Sequence, residues 1–324
     1  MKQRSLVIAL AASIVLAGAA AAQTYPTKPI TVVVPFAAGG PTDALARLLG
    51  ERMRLALGQP ILVENVTGAG GTIGVGRVVR AAADGYTVSI GHWGTHVVNG
   101  ALYSLPFDLA TDLEPVAMLP SNPMVIVSKT ALPAKDLKEL MAWVKANQDK
   151  ATAGTAGVGS GSHVGAVYFQ NLTGLRLQLV PYRGTGPALQ DLVAGQIDMI
   201  VDQTSNSMAH IRGGKIRAYA VTAPTRVPSA PDIPTVDEAG IPGFHILLWN
   251  GLWVPKGSPK DAIAKLSAAA MDALADPAVR KRLTDVGLEV PPRERQTAEA
   301  LGAFHKAEIA KWWPIIKAAA IKAQ

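Results

Sequence analysis

The sequence predicts an α/β fold in two lobes, on two observations. Strand-like and helix-like patterns alternate along the chain. An extended segment leading through a glycine-rich loop into a helix occurs twice, about 120 residues apart. Alternation of this kind marks largely parallel sheets. A repeated strand–glycine–helix device suggests one such loop in each lobe.

Taken in order, the chain opens with Lys2 and Arg4, an apolar run from Leu6 to Leu16, and Ala20-Ala21-Ala22. This is the pattern of an export signal, residues 1–22, removed after about Ala22. The run is short for a membrane span and no stop-transfer pattern follows. With no cysteine in the chain, a lipoprotein signal, disulfides, thiolate chemistry and cysteine metal sites are all excluded. An exported chain of this length has core enough to do without disulfides. Loss of Lys2 and Arg4 leaves 29 Lys and Arg against 24 Asp and Glu, a net +5 spread along the chain. That balance slightly favours anionic small molecules and does not mark nucleic acid.

"ITVVVPF" (30–36) reads as the first strand, with a helix from Asp43 to Leu57 and then the strand "PILVENV". "TGAGGTIG" (67–74) feeds a short helix ending near Ala83, and "YTVSIGH" (86–92) is another strand. "MVIVS" begins a new block at Met124. The helix from Ala134 to Asn147 carries Leu137, Leu140, Met141 and Val144 at helical spacing. "ATAGTAGVGSGSH" (151–163) repeats the opening device and leads into the helix "VGAVYFQNLTG". "LQLVPY" is a strand, "PALQDLVAGQ" a helix and "IDMIVD" (197–202) a strand. Arg226 to Pro242, rich in proline and acidic residues, reads as a long surface connection. "WNGLWVP", a helix from Pro259 to Ala275 and a helical tail with Trp312 and Trp313 complete the chain.

The glycine loops carry the chemistry. The first N–H groups of a helix lack an internal acceptor and the helix dipole adds positive character there, so a carboxylate or phosphate suits either loop. A plainer reading gives Gly39 and Gly40 a tight turn and makes Thr42 or Asp43 the helix cap. Specific alternatives fail: neither "GAGGTIG" nor "GTAGVGSG" fits G-x-G-x-x-G, there is no P-loop, and Ser160 and Ser162 lie in no G-x-S-x-G elbow. His92 and His96 have an i,i+4 spacing, but Gly91 and Gly94 argue against a helix and hence against a zinc pair. No cofactor and no metal site is expected. The two loops are explained together by a hinged binding protein that clamps a ligand between lobes.

Ordered blocks then carry a resemblance that runs end to end. They are "YPTKPITVVVPFAAGGPTDALAR", "VENVTGAGGTIG", "ADGYTVSIG", "THVVNGALY", "GSGSH", "VPYRGTGPALQDLVAGQID" and "IPTVDEAGIPGF". In these the mature chain resembles the tripartite tricarboxylate transporter solute-binding family, the Bug or TctC receptors. The resemblance implies a type II-like periplasmic binding protein, a Venus flytrap with two crossovers: lobe I from 23–124 and 225–324, lobe II from 125–224. It implies capture of a small organic carboxylate (a di-, tri- or aromatic acid) in the periplasm by a monomer. Delivery to a permease of one large and one small membrane subunit would follow. In the family both loops give main-chain and hydroxyl donors to a carboxylate, partly through water. By position those are Phe36, Ala37, Ala38, Gly39, Gly40, Thr42 and Asp43, with Ala156, Gly157, Gly159, Ser160, Ser162 and His163.

Three further residues join the candidate site: Trp93, Thr95 and Asp202. His92-Trp93-Gly94 departs from the small polar residues usual there, so Trp93 either stacks on an aromatic acid or packs in the core. Trp249 and Trp253 pose the same choice. His163 reads as a helix-start residue rather than a base, and Arg183 as a scaffold ion pair rather than a ligand clamp. Asp202, at the end of "IDMIVD", either faces the cleft or caps the next turn. A sensor receptor for a histidine kinase and an exported enzyme are the alternatives, the latter without a nucleophile–base motif to support it.

Overall fold

A computed structural model describes residues 25–318. The export signal read over residues 1–22 lies outside the described residues. Among the described residues no helix is long and apolar enough to cross a membrane.

Strands β1 (Ile30–Val34), β2 (Ile61–Asn65) and β3 (Thr87–His92) pair in parallel in the order β2-β1-β3. Helices α1 (Pro41–Leu57) and α2 (Thr72–Val79) connect them, and a helical turn at Gly94–Val98 leads into the short α3 (Asn99–Leu102). The apolar face of α1, with Leu45, Leu49 and Met53, is buried in one core with Ile30, Val32 and Val34 of β1. The 17-residue strand β4 (Leu113–Lys129) then leaves this sheet and enters a second one. Beyond it come α4 (Leu137–Ala146), β5 (Thr152–Thr155), α5 (Gly161–Thr173), β6 (Gln178–Pro181), α6 (Thr185–Val193), β7 (Met199–Gln203), α7 (Thr204–Arg212) and β8 (Ile216–Val221). The chain returns to the first sheet with β9 (Leu247–Pro255) and finishes with α8 (Lys260–Ala275), α9 (Pro277–Asp285) and α10 (Ala298–Ala318).

The fold is α/β in two lobes, and β4 shows how they join. From Leu113 to Pro123 it pairs antiparallel with β9, and from Met124 to Ser128 with β7. The first sheet runs β2-β1-β3-β9-β4; in the second, β8 and β7 flank the far half of β4, and β5 and β6 follow. The sheets are therefore mixed rather than largely parallel: strands next to the crossovers run antiparallel because β4 and β9 pass between lobes in opposite senses. The sequence reading began this block at Met124 and missed the half of β4 that contains Pro115, Pro120 and Pro123. A central strand holds these prolines because its register slips between Pro115 and Ala117 and again between Leu119 and Ser121.

The two crossovers are tied at one residue. Thr222, just past β8, donates its N–H to Met124 O (2.8 Å) and its hydroxyl to Ile246 O (2.6 Å), while Thr222 Oγ1 accepts from Met124 N (3.0 Å). Met124 lies on the first connection and Ile246 on the second.

Candidate functional site

Three strand–glycine–helix junctions meet between the lobes. β1 leads through Pro35–Gly40 into α1, β5 through Ala156–Ser160 into α5, and β6 through Tyr182–Gly184 into α6. Their helix N-termini converge, with the ends of β3 and β7, on a cavity lined by Phe36, Gly40, Thr42, His92, Ser162 and Thr185, among others. This is the carboxyl end of the strands, where open α/β sheets bind ligands. The first-turn N–H groups at Thr42, Gly161, Ser162 and Thr185 have no intrahelical acceptor, and three helix dipoles point their positive ends at one place. No Lys or Arg lines the cavity.

The first loop is built around a charge. Gly40 is the N-cap of α1 and Pro41 its first residue; Asp43, expected as a cap, instead reaches back to accept Gly39 N–H at 2.9 Å. Arg47 pairs with the Asp43 carboxylate, and Asn65 Nδ2 donates both to it (3.0 Å) and to Phe36 O (2.9 Å). Burial pushes the Asp43 carboxyl up, but the hydrogen bonds from Arg47, Gly39 and Asn65 outweigh it and hold the group below the usual carboxylate range. Asp43 is thus a brace spent within lobe I and does not line the cavity.

The second loop is built from neutral groups. Ser160 caps α5 and accepts His163 N–H at 3.3 Å. Ser162 Oγ accepts Ala156 N–H at 2.8 Å, and His163 Nδ1 accepts Gly159 N–H at 3.3 Å. His163 is accordingly a buried loop brace, its pKa lowered by that burial. Ala156, Ser160 and Ser162 line the cavity; Gly157 lines an outer groove between the lobes, and Gly159 packs against Asn99 and Tyr103.

Each loop is met by the opposite lobe. Ala37 N donates to Arg183 O (2.9 Å), and Tyr103 Oη donates to Val158 O (2.6 Å). Ala38 and Gly39 are exposed at the lip. The space left in the cavity is about 10 Å³, roughly one water.

Several expected site residues stand elsewhere. Trp93 is 2% exposed and turns away from the cavity, edge-on to Trp312 at 4.8 Å. Its neighbour His92 takes the cleft position, stacked on Phe36 with centroids 5.2 Å apart. Thr95 is absorbed locally, accepting His92 N–H and donating to His92 O, both at 3.0 Å. Asp202 is fully buried and lies beneath the cavity instead of lining it: Asn206 Nδ2 and Ser207 Oγ each donate to its Oδ2 at 2.7 Å. Burial pushes its carboxyl up to about 6. Arg183 is exposed at the mouth and, among the described residues, makes no salt bridge; its backbone carbonyl does the work expected of its side chain. Trp253 stacks on His96 at 3.7 Å and Trp249 donates to Glu308, both away from the cleft.

Sequence reasoning missed His92, Met124, Thr185 and Gln203 as cavity residues. The signal for Thr185 was present, since "YRGTGP" is a third strand–glycine–helix junction. His92 accepts Gly94 N–H at its Nδ1 (3.0 Å), and burial pushes its pKa down to about 4. It is therefore neutral at pH 7 with its proton on Nε2, a donor rather than a charge. Among the described residues no group of three His, Asp or Glu side chains is placed to hold a metal ion.

Known proteins share this fold. The family profile for the tripartite tricarboxylate transporter family receptor matches residues 45–321. The periplasmic binding protein BugD superposes with a TM-score of 0.89 at 42% identity, covering 93% of this chain and 100% of its own. MatC from Rhodopseudomonas palustris, solved with bound malate, gives 0.87 at 43% identity over 90% of this chain and 100% of its own. Rpa4515 from R. palustris, solved with adipate, gives 0.86 at 31% identity over 92% and 99%.

Proposed function

The chain belongs to the tripartite tricarboxylate transporter receptor family, and from that premise we propose that it captures a short aliphatic dicarboxylate between its lobes. The carrying observation is the convergence of three helix N-termini on a cavity with hydroxyls but no Lys or Arg in its lining. In this reading the α1 N-terminus with Thr42 holds one carboxylate. Ser162, Thr185 and the N-termini of α5 and α6 hold the other. Two separated donor clusters suit an acid charged at both ends, and the malate and adipate seen in MatC and Rpa4515 support that class. His92 Nε2–H adds a neutral donor between them.

With the lobes shut there is no room for such an acid, so it enters when they part about the knot at Thr222. Lobe I is taken as 23–124 and 225–324, lobe II as 125–224. The chain is exported with loss of residues 1–22 and acts in the periplasm as a monomer. It presents its loaded form, with the lobes closed as far as the acid allows, to a membrane permease of one large and one small subunit. No catalytic step is assigned to it.

Calorimetry against malate, adipate and a neutral sugar tests the ligand class. A dicarboxylate at about 100-fold over its Kd adds roughly 2.7 kcal/mol to folding stability, a clear melting shift. Tight binding of the sugar with none of the acids would sink the proposal. Delivery is tested separately, by uptake of the bound acid in a strain lacking the gene, which should fall.

A further inference from the structure

Behind the hinge lies a second, larger concavity that the cleft reading does not use. It has room for about 550 Å³, within the range of small-molecule sites. Its floor is made by both crossovers, at Ser121, Thr222 and Leu247, and its other wall by α10. The walls are aromatic. Trp93, Trp249, Phe304 and Trp312 line the space, with Trp249 edge-on to Phe304 at 5.2 Å and Trp93 edge-on to Trp312 at 4.8 Å. Leu247 and Phe304 stay 44% and 37% exposed there, more than packing alone calls for.

The polar groups on this wall are unevenly matched. Glu308 Oε2 accepts both indole N–H groups of Trp249 and Trp312, at 3.1 Å each. His245 is paired with Asp237 at 2.8 Å. Arg295 and Lys311 make no salt bridge among the described residues, although Lys311 Nζ stands 5.1 Å from the Trp312 ring centre. Trp93 Nε1 is buried with no hydrogen-bond partner, a donor left over on the same wall. Aromatic faces spaced edge to face take in a flat ring, and a guanidinium donates two parallel hydrogen bonds to a carboxylate.

We propose that this hinge groove is a second binding site, separate from the cleft, for an aromatic monocarboxylate. Its ring lies between Trp249, Phe304 and Trp312, and its carboxylate reaches Arg295 and Lys311. The adjacent residues His92 and Trp93 then face two different ligands, the imidazole toward the cleft and the indole toward the groove.

The probe is 2-naphthoate, followed by quenching of tryptophan fluorescence and by calorimetry, with neutral 2-naphthylmethanol as comparator. Ala303→Trp places bulk in the groove from an exposed helix position, and the pair Arg295→Glu with Lys311→Glu reverses its charge. Both should weaken 2-naphthoate by about tenfold or more, while Gly40→Val, which narrows the cleft, should leave it within about twofold. Malate should not displace it. No binding at millimolar 2-naphthoate overturns the proposal, as does displacement by malate or loss in Gly40→Val without loss in Ala303→Trp. Equal affinity for the neutral alcohol removes the carboxylate from it and overturns the ligand class.

Discussion

The two glycine loops look alike in sequence and are held in opposite ways. The loop before α1 is fixed by a buried carboxylate with an arginine and an asparagine behind it; the loop before α5 is fixed by two serine hydroxyls and a neutral imidazole. Each also faces a glycine of the other lobe. Gly70 meets Val158 of the second loop, and Gly186 meets Gly39 and Gly40 of the first. Similar motifs thus converge on similar donor geometry through different supports, and the supports respond to different perturbations.

The largest effect is expected where the lobes touch. A Cβ at Gly70 would overlap the Val158 carbonyl oxygen, a backbone atom with no means of turning aside, and Gly70 also has φ +60°. At Gly186 the added carbon comes to 3.2 Å from Gly40 N, which a small shift relieves. Gly70→Ala should therefore block closure and cost about a thousandfold in dicarboxylate affinity, near 4 kcal/mol. Gly186→Ala should cost about tenfold or less. Circular dichroism should show both folded, with Gly70→Ala carrying the further strain of a left-handed alanine, about 1 kcal/mol. Equal losses from the two would mean that the loops do not meet the opposite lobe as differently as the shut form indicates.

Acid should separate the two supports next. His92 and His163 are kept neutral by burial, with His92 pushed down to about 4. An unfolded histidine takes up a proton near pH 6.5, so stability falls as pH drops from that value toward the folded ones. Asp43 has the opposite placement: its contribution is fully present above the unfolded carboxylate value near 3.9 and is lost only as pH falls through its lower folded value. Asp202, raised to about 6, gives stability that is complete below about 3.9 and lost as pH rises through 6, so it offsets the histidines in part. Between pH 6.5 and 4 His92 loses about 3 kcal/mol and Asp202 returns about 2, so the net loss comes mainly from His163 and from His96 and His305, which burial also keeps neutral. Amide exchange should rise at Gly159 well before Gly39. Simultaneous loosening of both loops would contradict the assignment of a neutral support to one and a charged support to the other.

How much of this was legible depended on whether a feature is local. The alternation of strands and helices, and the glycine junctions, are written in neighbouring residues, and the two lobes and the cleft follow from them. The passage of β4 through three prolines was not legible, because proline is tolerated there only by bulges against β9, a strand over a hundred residues away. The roles within "HWG" were inverted for a similar reason. Spacing cannot say that the turn after β3 sends the imidazole to the cleft and the indole to α10. Asp202 was drawn to the site by its place at a strand end, but the hydroxyl and amide of the following helix claim it first.

The smallest effect is a direct comparison of the two braces. Asp43→Ala leaves Gly39 N–H without its acceptor, leaves Asn65 Nδ2 with Phe36 O alone, and frees Arg47 from a partner whose side chain is 5% exposed. Losing hydrogen bonds to a charged, buried group should cost about 2 kcal/mol, above the value for a helix cap, because Gly40 and not Asp43 is the cap. Ser160→Ala removes a true N-cap, and the His163 N–H loses its acceptor. That should cost about 1 kcal/mol. Urea unfolding of the two variants at pH 7.5 measures both. As pH falls through the lowered Asp43 value, the gap between them should narrow, since a neutral carboxyl has little left to lose. If Ser160→Ala proved the more destabilising at pH 7.5, the weight of the site would rest on the neutral loop, and the charged brace would serve only to shape the turn before α1.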